Sequence, residues 1–301
     1  MTMETTSKLT LGPVFFNWAP EKLRDFYFRI ADQAPVDTVC LGEVICSKRL
    51  PFYEGLIPDI AERLEASGKE VIFSTLALVM NEREVSAIYA LSQKSEFYIE
   101  ANDTSAISCL KGRRFAVGPF INVYNEATMD YLIGCGADRI CLACELPAGS
   151  IRILAEHSAV PLELQVFGRM PLALSARCYH ARLHRLHKDG CQFVCDQDPD
   201  GRSVETLEGD GFLTINGIQT MSHSYVSLLA ELRELQDIGV QRFRLSPQDV
   251  DMVMVAQIFR QVLDHSLDAR EGQNQLENLS GNIAFSNGFY HGGEGCHYIN
   301  P

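Results

Sequence analysis

Long hydrophobic runs are absent from this 301-residue sequence. No stretch reaches the roughly 18 apolar residues that a transmembrane helix needs, and the opening MTMETTSK contains nothing that could act as a secretory signal. Basic residues are also few, because 26 Lys and Arg stand against 39 Asp and Glu, a net charge of −13. Broad nucleic-acid binding needs clustered cations, so this balance argues against it and leaves only a local basic pocket open. We therefore predict a cytoplasmic protein with no membrane span and no nucleic-acid partner.

Several motifs of common enzyme classes are missing as well. No G-x-G-x-x-G or G-x-x-x-x-G-K-[ST] follows a predicted strand, so dinucleotide-binding and P-loop folds lose their main support. Neither H-E-x-x-H nor a Ser/His/Asp order is present to indicate a peptidase site.

What the sequence does contain is a regular alternation of short apolar runs and amphipathic segments. Continuous Val, Ile, Leu and Phe runs are typical of strands covered on both faces, and helices of 10 to 15 residues between them indicate βαβ units. Eight such units in about 250 residues predict an α/β fold of the (β/α)8 barrel type. The predicted strands are 11–16, 36–41, 71–75, 97–99, 115–118, 139–142, 162–167 and 242–245.

Two stretches interrupt this rhythm. The first is a Cys-rich insertion at 176–215, after strand seven of a barrel domain that we place at 1–264, with a helix predicted from about 222 to 238. An insertion there lies on the C-terminal face of the barrel, where active sites of this fold are built. The second is the tail 265–301, which lacks periodicity and is predicted to be irregular.

Ten cysteines are the unusual feature of the composition. In a reduced compartment they are not expected to form five disulfides. Most of the six that we set aside have the context of packed core thiols. Two of them form a C-x-x-C that ends a strand, whereas a redox C-x-x-C normally opens a helix. The six are Cys40, Cys109, Cys135, Cys141, Cys144 and the uncommitted Cys296.

Four other thiols lie on predicted loops at one end of the barrel. Cys46 follows strand two and precedes two cations, and Cys178, Cys191 and Cys195 fall in the insertion. Four thiolates can hold a tetrahedral Zn²⁺ or a [4Fe–4S] cluster. Paired C-x₂-C knuckles, usual in zinc sites, are missing, so the spacing favours iron–sulfur, with zinc and the absence of any metal left open.

The segment 177–188 around these thiols is locally basic. It is either a solvated cationic helix face or an anion pocket that stabilises an anionic thiolate cluster. Three histidines, His180, His184 and His187, would share one helical face, which makes a zinc triad a weaker alternative.

The stretch 168–178 reads GRMPLALSARC and resembles the G-R-x-P-L-x-x-S-x-R-C signature of the collagenase-like peptidase family of unassigned catalytic class. Further blocks narrow the resemblance to family members that act in ubiquinone biosynthesis. These blocks are 11–14, 42–49, 74–79, 213–220 and 244–248, with a weaker match at 287–290.

This resemblance implies a [4Fe–4S] cluster held by Cys46, Cys178, Cys191 and Cys195. It also implies a heterodimer with a paralogous chain, a lipid-binding partner that presents an isoprenoid quinone precursor, and O₂-independent hydroxylation of that precursor. Related members use prephenate as oxygen donor on RNA, so a prephenate-like donor is expected by analogy. Arg177 and Arg169 are candidates for clamping carboxylates bidentately, although Arg169 could equally be a structural partner.

Three functional hypotheses remain at this point. The chain is a catalytic or co-catalytic iron–sulfur subunit, a scaffold whose cluster only stabilises the insertion and the partner interface, or a peptidase or RNA-modifying enzyme like others of the wider family.

Overall fold

Eight parallel strands close into a barrel in the computed structural model, which describes residues 7–300. Each strand pairs in parallel with the next along the chain, and the last one pairs with both the first and the seventh. The barrel strands are β1 (Lys8–Leu11), β2 (Thr38–Leu41), β3 (Glu70–Ser74), β4 (Ile99–Ala101), β5 (Phe115–Val117), β6 (Ala137–Cys141), the first part of β7 (Leu162–Leu174), and β11 (Arg242–Leu245). The predicted (β/α)8 barrel is therefore confirmed.

Helices follow the barrel strands and cover them. Several begin at an Asn or Asp whose side chain accepts a hydrogen bond from the first-turn backbone, which satisfies N–H groups that a helix start leaves free; Asn81, Asp103, Asn125 and Asp251 act in this way. The helices are α1 (Pro20–Gln33), α2 (Ile57–Ala66), α3 (Glu82–Ser92), α4 (Thr104–Leu110), α5 (Glu126–Cys135), α6 (Ala148–His157), α7 (Tyr179–Leu183), α8 (Leu232–Ile238), α9 (Met252–Leu263) and α10 (Ala269–Ser280).

Strand β7 is long because only its first half belongs to the barrel. Its second half pairs antiparallel with β10 (Gln219–Ser227). β10 in turn pairs antiparallel with β9 (Gly211–Asn216) and parallel with β12 (Phe285–Ser286). β9 pairs antiparallel with β8 (Arg202–Glu205), the outermost strand of this extension. Gly168 lies where β7 leaves the barrel, at φ +101°, and a Cβ there would meet the Ser246 carbonyl oxygen at 2.6 Å. A residue with a side chain would therefore be strained at this bend.

The insertion after β7 covers the C-terminal mouth of the barrel. A small apolar cluster joins it to the strand-to-helix loops below, with Phe15, Val44 and Ala77 from the barrel and Ile218 from the insertion. Phe15 also packs edge-on against Phe120, with ring centroids 5.6 Å apart. The insertion is thus seated over the end of the barrel where functional sites of this fold lie.

The helix predicted from 222 to 238 is wrong in its first half. This half forms β10, because strands on both sides hydrogen-bond to it and bury Tyr225 and Val226, so apolar spacing there does not report a helix. Only the second half is helical, as α8, with Leu232, Leu235 and Ile238 buried at spacings of three residues.

The predicted irregular tail also needs correction, since α10 lies within it. The buried face of this helix consists of Gly272, Gln273, Leu276 and Ser280. Only one of these is a large apolar residue, so the helix leaves no hydrophobic period in the sequence. No helix in residues 7–300 is long and apolar enough to cross a membrane.

Candidate functional site

Cys46, Cys178, Cys191 and Cys195 all line one pocket between the barrel mouth and the insertion. Cys46 lies in the β2–α2 loop and Cys178 is the N-cap of α7. Cys191 and Cys195 follow four positions apart, further along the insertion. All four are free thiols. The structure therefore brings together the four thiols that the sequence singled out.

Arg49 forms a rigid, buried wall of this pocket, with only 1% of its surface exposed. Its Nη1 donates to the Phe15 carbonyl at 2.7 Å and its Nη2 donates to Asn216 Oδ1 at 3.0 Å. Its Nε has no hydrogen-bond partner. Gly217, at φ +63°, leaves room for the guanidinium, because a Cβ there would lie 2.8 Å from Nη2. A buried donor without a partner is costly, so this one is suited to an acceptor that enters the pocket.

Burial and positive charge act against each other on two of the thiols. Burial raises the pKa of Cys46 and of Cys195, and the Arg49 guanidinium opposes this rise in both. Lys48 and Lys188 line the same pocket. Lys48 also fixes the insertion, because its Nζ donates to the Lys188 carbonyl at 2.6 Å. Three cations around four thiols make the pocket suited to anionic ligands.

The loop that carries two of the thiols has an unusual backbone. Gln192 and Phe193, between Cys191 and Cys195, adopt left-handed conformations with φ of 51° and 54°. Such conformations cost about 1 kcal/mol or more each for residues other than glycine. Phe193 packs edge-on against Phe52, with centroids 4.7 Å apart, which holds the loop against the barrel.

The three histidines do not share a helical face, because α7 ends at Leu183. His180 is fully buried, and its Nε2 lies 2.7 Å from Asp198 while its Nδ1 accepts from the Gly217 amide at 3.3 Å. Burial lowers the pKa of His180 in spite of Asp198. His184, but not His187, joins His180 and Asp198 in a group whose donor atoms lie within 4.8 Å of one another.

The two candidate arginines lie in different surroundings. Arg169 is buried and its Nη2 donates to Asp200 Oδ2 at 2.7 Å, while Nη1 donates to the Ser222 carbonyl at 3.1 Å and also to that of His223. These bonds tie β7 to the insertion, which is the contact pattern of a structural partner. Arg177 is exposed beside Cys178.

The other six cysteines lie away from the pocket. Cys40, Cys135 and Cys141 are buried, Cys109 and Cys144 are half-buried, and Cys296 is exposed. Burial also raises the pKa of Cys144, to about 12, which makes that thiol unreactive.

Sequence reasoning missed two polar residues of the site. Asn17 Nδ2 donates to Cys195 Sγ at 3.5 Å, and Asn216 holds both Arg49 and the Phe15 carbonyl. Asn17 directly follows the first predicted strand, 11–16, and Asn216 lies within the 213–220 block. A single Asn, in a loop or at the end of a strand, nevertheless carries no spacing signal of its own.

Comparison with known proteins shows which family the chain belongs to. Residues 20–300 match the model of Peptidase family U32. The chain belongs to peptidase family U32. A curated relative in sequence, the tRNA hydroxylation protein P2 of Bacillus subtilis (strain 168), is 27% identical over 160 residues. That match covers 49% of this chain and 50% of the relative, so the chain spans about half the length of the curated relative it matches.

Two solved structures are similar to this U32 chain. The U32 peptidase Mk0906 matches with a TM-score of 0.47 and 11% identity, over 82% of this chain and 96% of that one. The BexX/CysO complex of Amycolatopsis orientalis matches with a TM-score of 0.43 and 11% identity, over 90% and 91%. The fold itself is established by the strand pairing described above.

Proposed function

We propose that this U32 protein is the iron–sulfur subunit of an O₂-independent hydroxylase of ubiquinone precursors. In this role it resembles the ubiquinone-biosynthesis protein UbiV, and its partner is a paralogue similar to UbiU, in a heterodimer. A lipid-binding protein similar to UbiT presents the isoprenoid quinone precursor, and a prephenate-like compound is the oxygen donor.

The observation that carries this proposal is the convergence of four thiols from distant parts of the chain. Cys46 is separated from Cys178 by more than a hundred residues, yet both line one pocket. Iron–sulfur clusters are held by four Cys thiolates, and their sulfurs accept hydrogen bonds from nearby donors. The unpaired Arg49 Nε and the cations Lys48 and Lys188 suit a [4Fe–4S]²⁺ cluster with four thiolates, which carries a net charge of −2.

The four thiols are not drawn together as the ligands of a single zinc ion would be. A tetrahedral zinc with bonds of about 2.3 Å brings every pair of its sulfurs to within about 3.8 Å. Across the described part of the chain, no three of these thiols have sulfurs all within 4.8 Å of one another. The left-handed pair Gln192 and Phe193 is also in keeping with a loop whose strain metal ligation would offset.

A bound cluster supplies one-electron transfer. The chain's own residues then have separate tasks: Cys46, Cys178, Cys191 and Cys195 bind it, and Arg49 balances its charge. Arg177, exposed beside Cys178, is the cation that we assign to a carboxylate of the oxygen donor. The apolar cluster around Phe15 and Ile218 limits the access of water from the barrel side.

Two other activities of the wider family are less well supported. For a peptidase, a thiol nucleophile needs a general base, but both ring nitrogens of His180 are engaged by Asp198 and Gly217. For RNA hydroxylation, the name of the Bacillus subtilis relative is a specific observation in favour. The net charge of −13 argues against it. Hydroxylation of a purified tRNA transcript by the isolated heterodimer would favour the RNA activity.

Anaerobic co-expression with the paralogous partner tests the proposal directly. We expect about four iron and four sulfide per chain, absorbance near 400 nm, and an EPR signal that appears on reduction. Protein with bound zinc and no sulfide, or with no metal, would contradict it. A cluster that is present but cannot be reduced would favour the scaffold hypothesis.

Replacing Arg49 by Met should make the cluster harder to reduce, because a buried positive charge beside it is lost. We expect at least a tenfold shift of the reduction equilibrium, equal to about 59 mV for one electron. EPR-monitored redox titration measures this, after iron content has shown that the cluster is retained. Arg233→Met removes an exposed charge from α8, which does not line the pocket, and is the matched control. An unchanged potential in Arg49→Met would remove Arg49 from this role.

A further inference from the structure

Cys296, the thiol that the sequence left uncommitted, lies in a small exposed cluster near the end of the tail. One donor atom from each of Glu294, Cys296 and His297 lies within 4.8 Å of the other two. Glu294 Oε2 is 3.3 Å from His297 Nε2, and Cys296 is a free thiol. None of the three lines the thiol pocket. We call these three residues the tail cluster.

A tight turn brings the three side chains together. The His297 amide donates to the Glu294 carbonyl at 3.1 Å, which closes a turn over residues 294–297. In an extended chain the adjacent Cys296 and His297 would point to opposite sides. The turn instead brings the donor atoms of its first, third and fourth residues close together, so their proximity follows from the backbone.

This turn is anchored to a buried part of the fold. The His297 carbonyl accepts from the Asn287 and Gly288 amides, both at 3.0 Å. Asn287 is buried, its Oδ1 accepts from the Ile299 amide at 2.7 Å, and its Nδ2 donates to Glu231 Oε1 at 2.8 Å. The backbone of the turn is therefore held in place, and an ion that binds there would order little additional chain.

We infer that Glu294, Cys296 and His297 bind a divalent cation of the zinc type, with a fourth position open to water or to a ligand atom from another molecule. Zinc takes thiolate, imidazole and carboxylate ligands, whereas Ca²⁺ and Mg²⁺ prefer oxygen alone. Bonds of about 2.0–2.3 Å bring tetrahedral ligand atoms to within about 3.8 Å of one another. Donors within 4.8 Å reach this spacing by rotation of exposed side chains. The ion would clamp the end of the tail onto its own loop, a role separate from that of the thiol pocket.

A second group of three donors in the described residues, His180, His184 and Asp198, is less suited to a cation. Both ring nitrogens of His180 are engaged, by Asp198 and by the Gly217 amide. Arg202 lies 3.6 Å from Asp198 and adds a competing positive charge. In the tail cluster the His297 ring pairs with Glu294, and this ion pair would be exchanged for two bonds to the metal.

Zinc binding to the full-length, cluster-containing protein tests this inference, because iron then occupies the pocket thiols. Competition with a chromogenic zinc indicator measures the affinity, and X-ray absorption at the zinc edge counts the sulfur ligands. We expect one zinc per chain, with a single sulfur at about 2.3 Å and nitrogen or oxygen ligands at about 2.0–2.2 Å. Cys296→Ser and His297→Gln should each bind zinc at least tenfold more weakly than the wild type.

Two variants are matched controls. His157→Gln removes an exposed histidine that also pairs with a carboxylate, at 2.8 Å from Asp130 Oδ1. Within residues 7–300 this pair belongs to no group of three donors. Cys109→Ser removes a half-buried thiol on α4. Both controls should bind zinc like the wild type.

The outcomes separate this inference from the proposed function. Equal zinc affinity in Cys296→Ser and the wild type would overturn the inference, and so would a zinc with three or four sulfurs, which would lie among the pocket thiols. A one-sulfur zinc that both tail variants lose, in protein that never acquires iron, would support the inference and contradict the iron–sulfur proposal. A cluster-containing protein that takes up no zinc would do the reverse.

Discussion

Replacing Cys195 by Ala should remove most of the iron from the anaerobically purified protein, about fivefold or more relative to the wild type, with loss of the absorbance near 400 nm. Cys195 is the most buried of the four thiols and lies beside Arg49 and Asn17. With this ligand removed, a cluster is left with three thiolates and an open iron at the most enclosed corner of the pocket. Iron and sulfide quantitation on protein purified without oxygen measures the effect.

Cys109→Ala is the matched control, since Cys109 is a half-buried thiol on α4 that lines no part of the pocket. It should keep its iron. Equal iron in Cys195→Ala and the wild type would contradict ligation by this thiol, and iron loss in both variants would show a non-specific effect. If Cys195→Ala still binds the paralogous partner but loses activity, the cluster has a redox role. Loss of both together would favour the scaffold hypothesis.

The barrel could be predicted because its strands are buried on both faces and therefore appear as continuous apolar runs. Strand 242–245 was predicted with the bounds that β11 has. The strands and helices outside the barrel are harder to predict from sequence. β10 reads QTMSHSYVS and is mostly polar, so only its pairing with β7 and β9 decides its structure. α10 packs through Gly272 and Gln273, which no hydrophobic pattern reveals.

The four thiols could be selected from sequence because insertions after barrel strands share one end of the fold. Their common pocket follows from that topology. The role of Arg49 as the buried wall of the pocket could not be predicted in this way. Only the fold shows that the Phe15 carbonyl and Asn216 Oδ1 accept hydrogen bonds from its guanidinium. The buried loop that follows β1 was missed for a similar reason. Residues 14–16 were predicted as strand, whereas β1 ends at Leu11 and the following residues turn into a buried loop.

The barrel interior holds a buried ion network that sequence reasoning also missed. Arg244 Nε donates to Glu163 Oε1, and its Nη2 donates to Glu100 Oε2. Thr10 Oγ1 donates to the second oxygen of Glu163 at 2.8 Å, and Ser74 Oγ donates to Glu100 Oε1 at 3.0 Å. Arg244 is 3% exposed and both glutamates are fully buried. In a sequence such residues look like surface charges, and only the closed barrel shows that they pair with one another.

Replacing Arg244 by Met should lower the free energy of unfolding by about 3–5 kcal/mol at neutral pH, because two buried carboxylates lose their cation. Arg114→Met is the control: Arg114 is largely exposed and pairs with Asp138, so its loss should change stability by less than about 1 kcal/mol. Denaturant unfolding of both variants measures the difference. Similar effects of the two changes would show that the network contributes little.

The same variant should respond to pH in the direction that the ion network dictates. Burial alone would raise the pKa of Glu163, but Arg244, with smaller contributions from Arg139 and the Thr10 hydroxyl, outweighs it, and the pKa lies below the ordinary value. In the wild type this stabilises the fold above the unfolded pKa of about 4.3, and the gain is lost as the pH falls through the folded value. In Arg244→Met the main interaction that opposes the burial cost is lost, so the pKa of Glu163 rises and protonation stabilises the variant. The stability difference between wild type and variant should therefore narrow between pH 7 and pH 5. A difference that stays constant over this range would mean that Glu163 is not held ionised by Arg244.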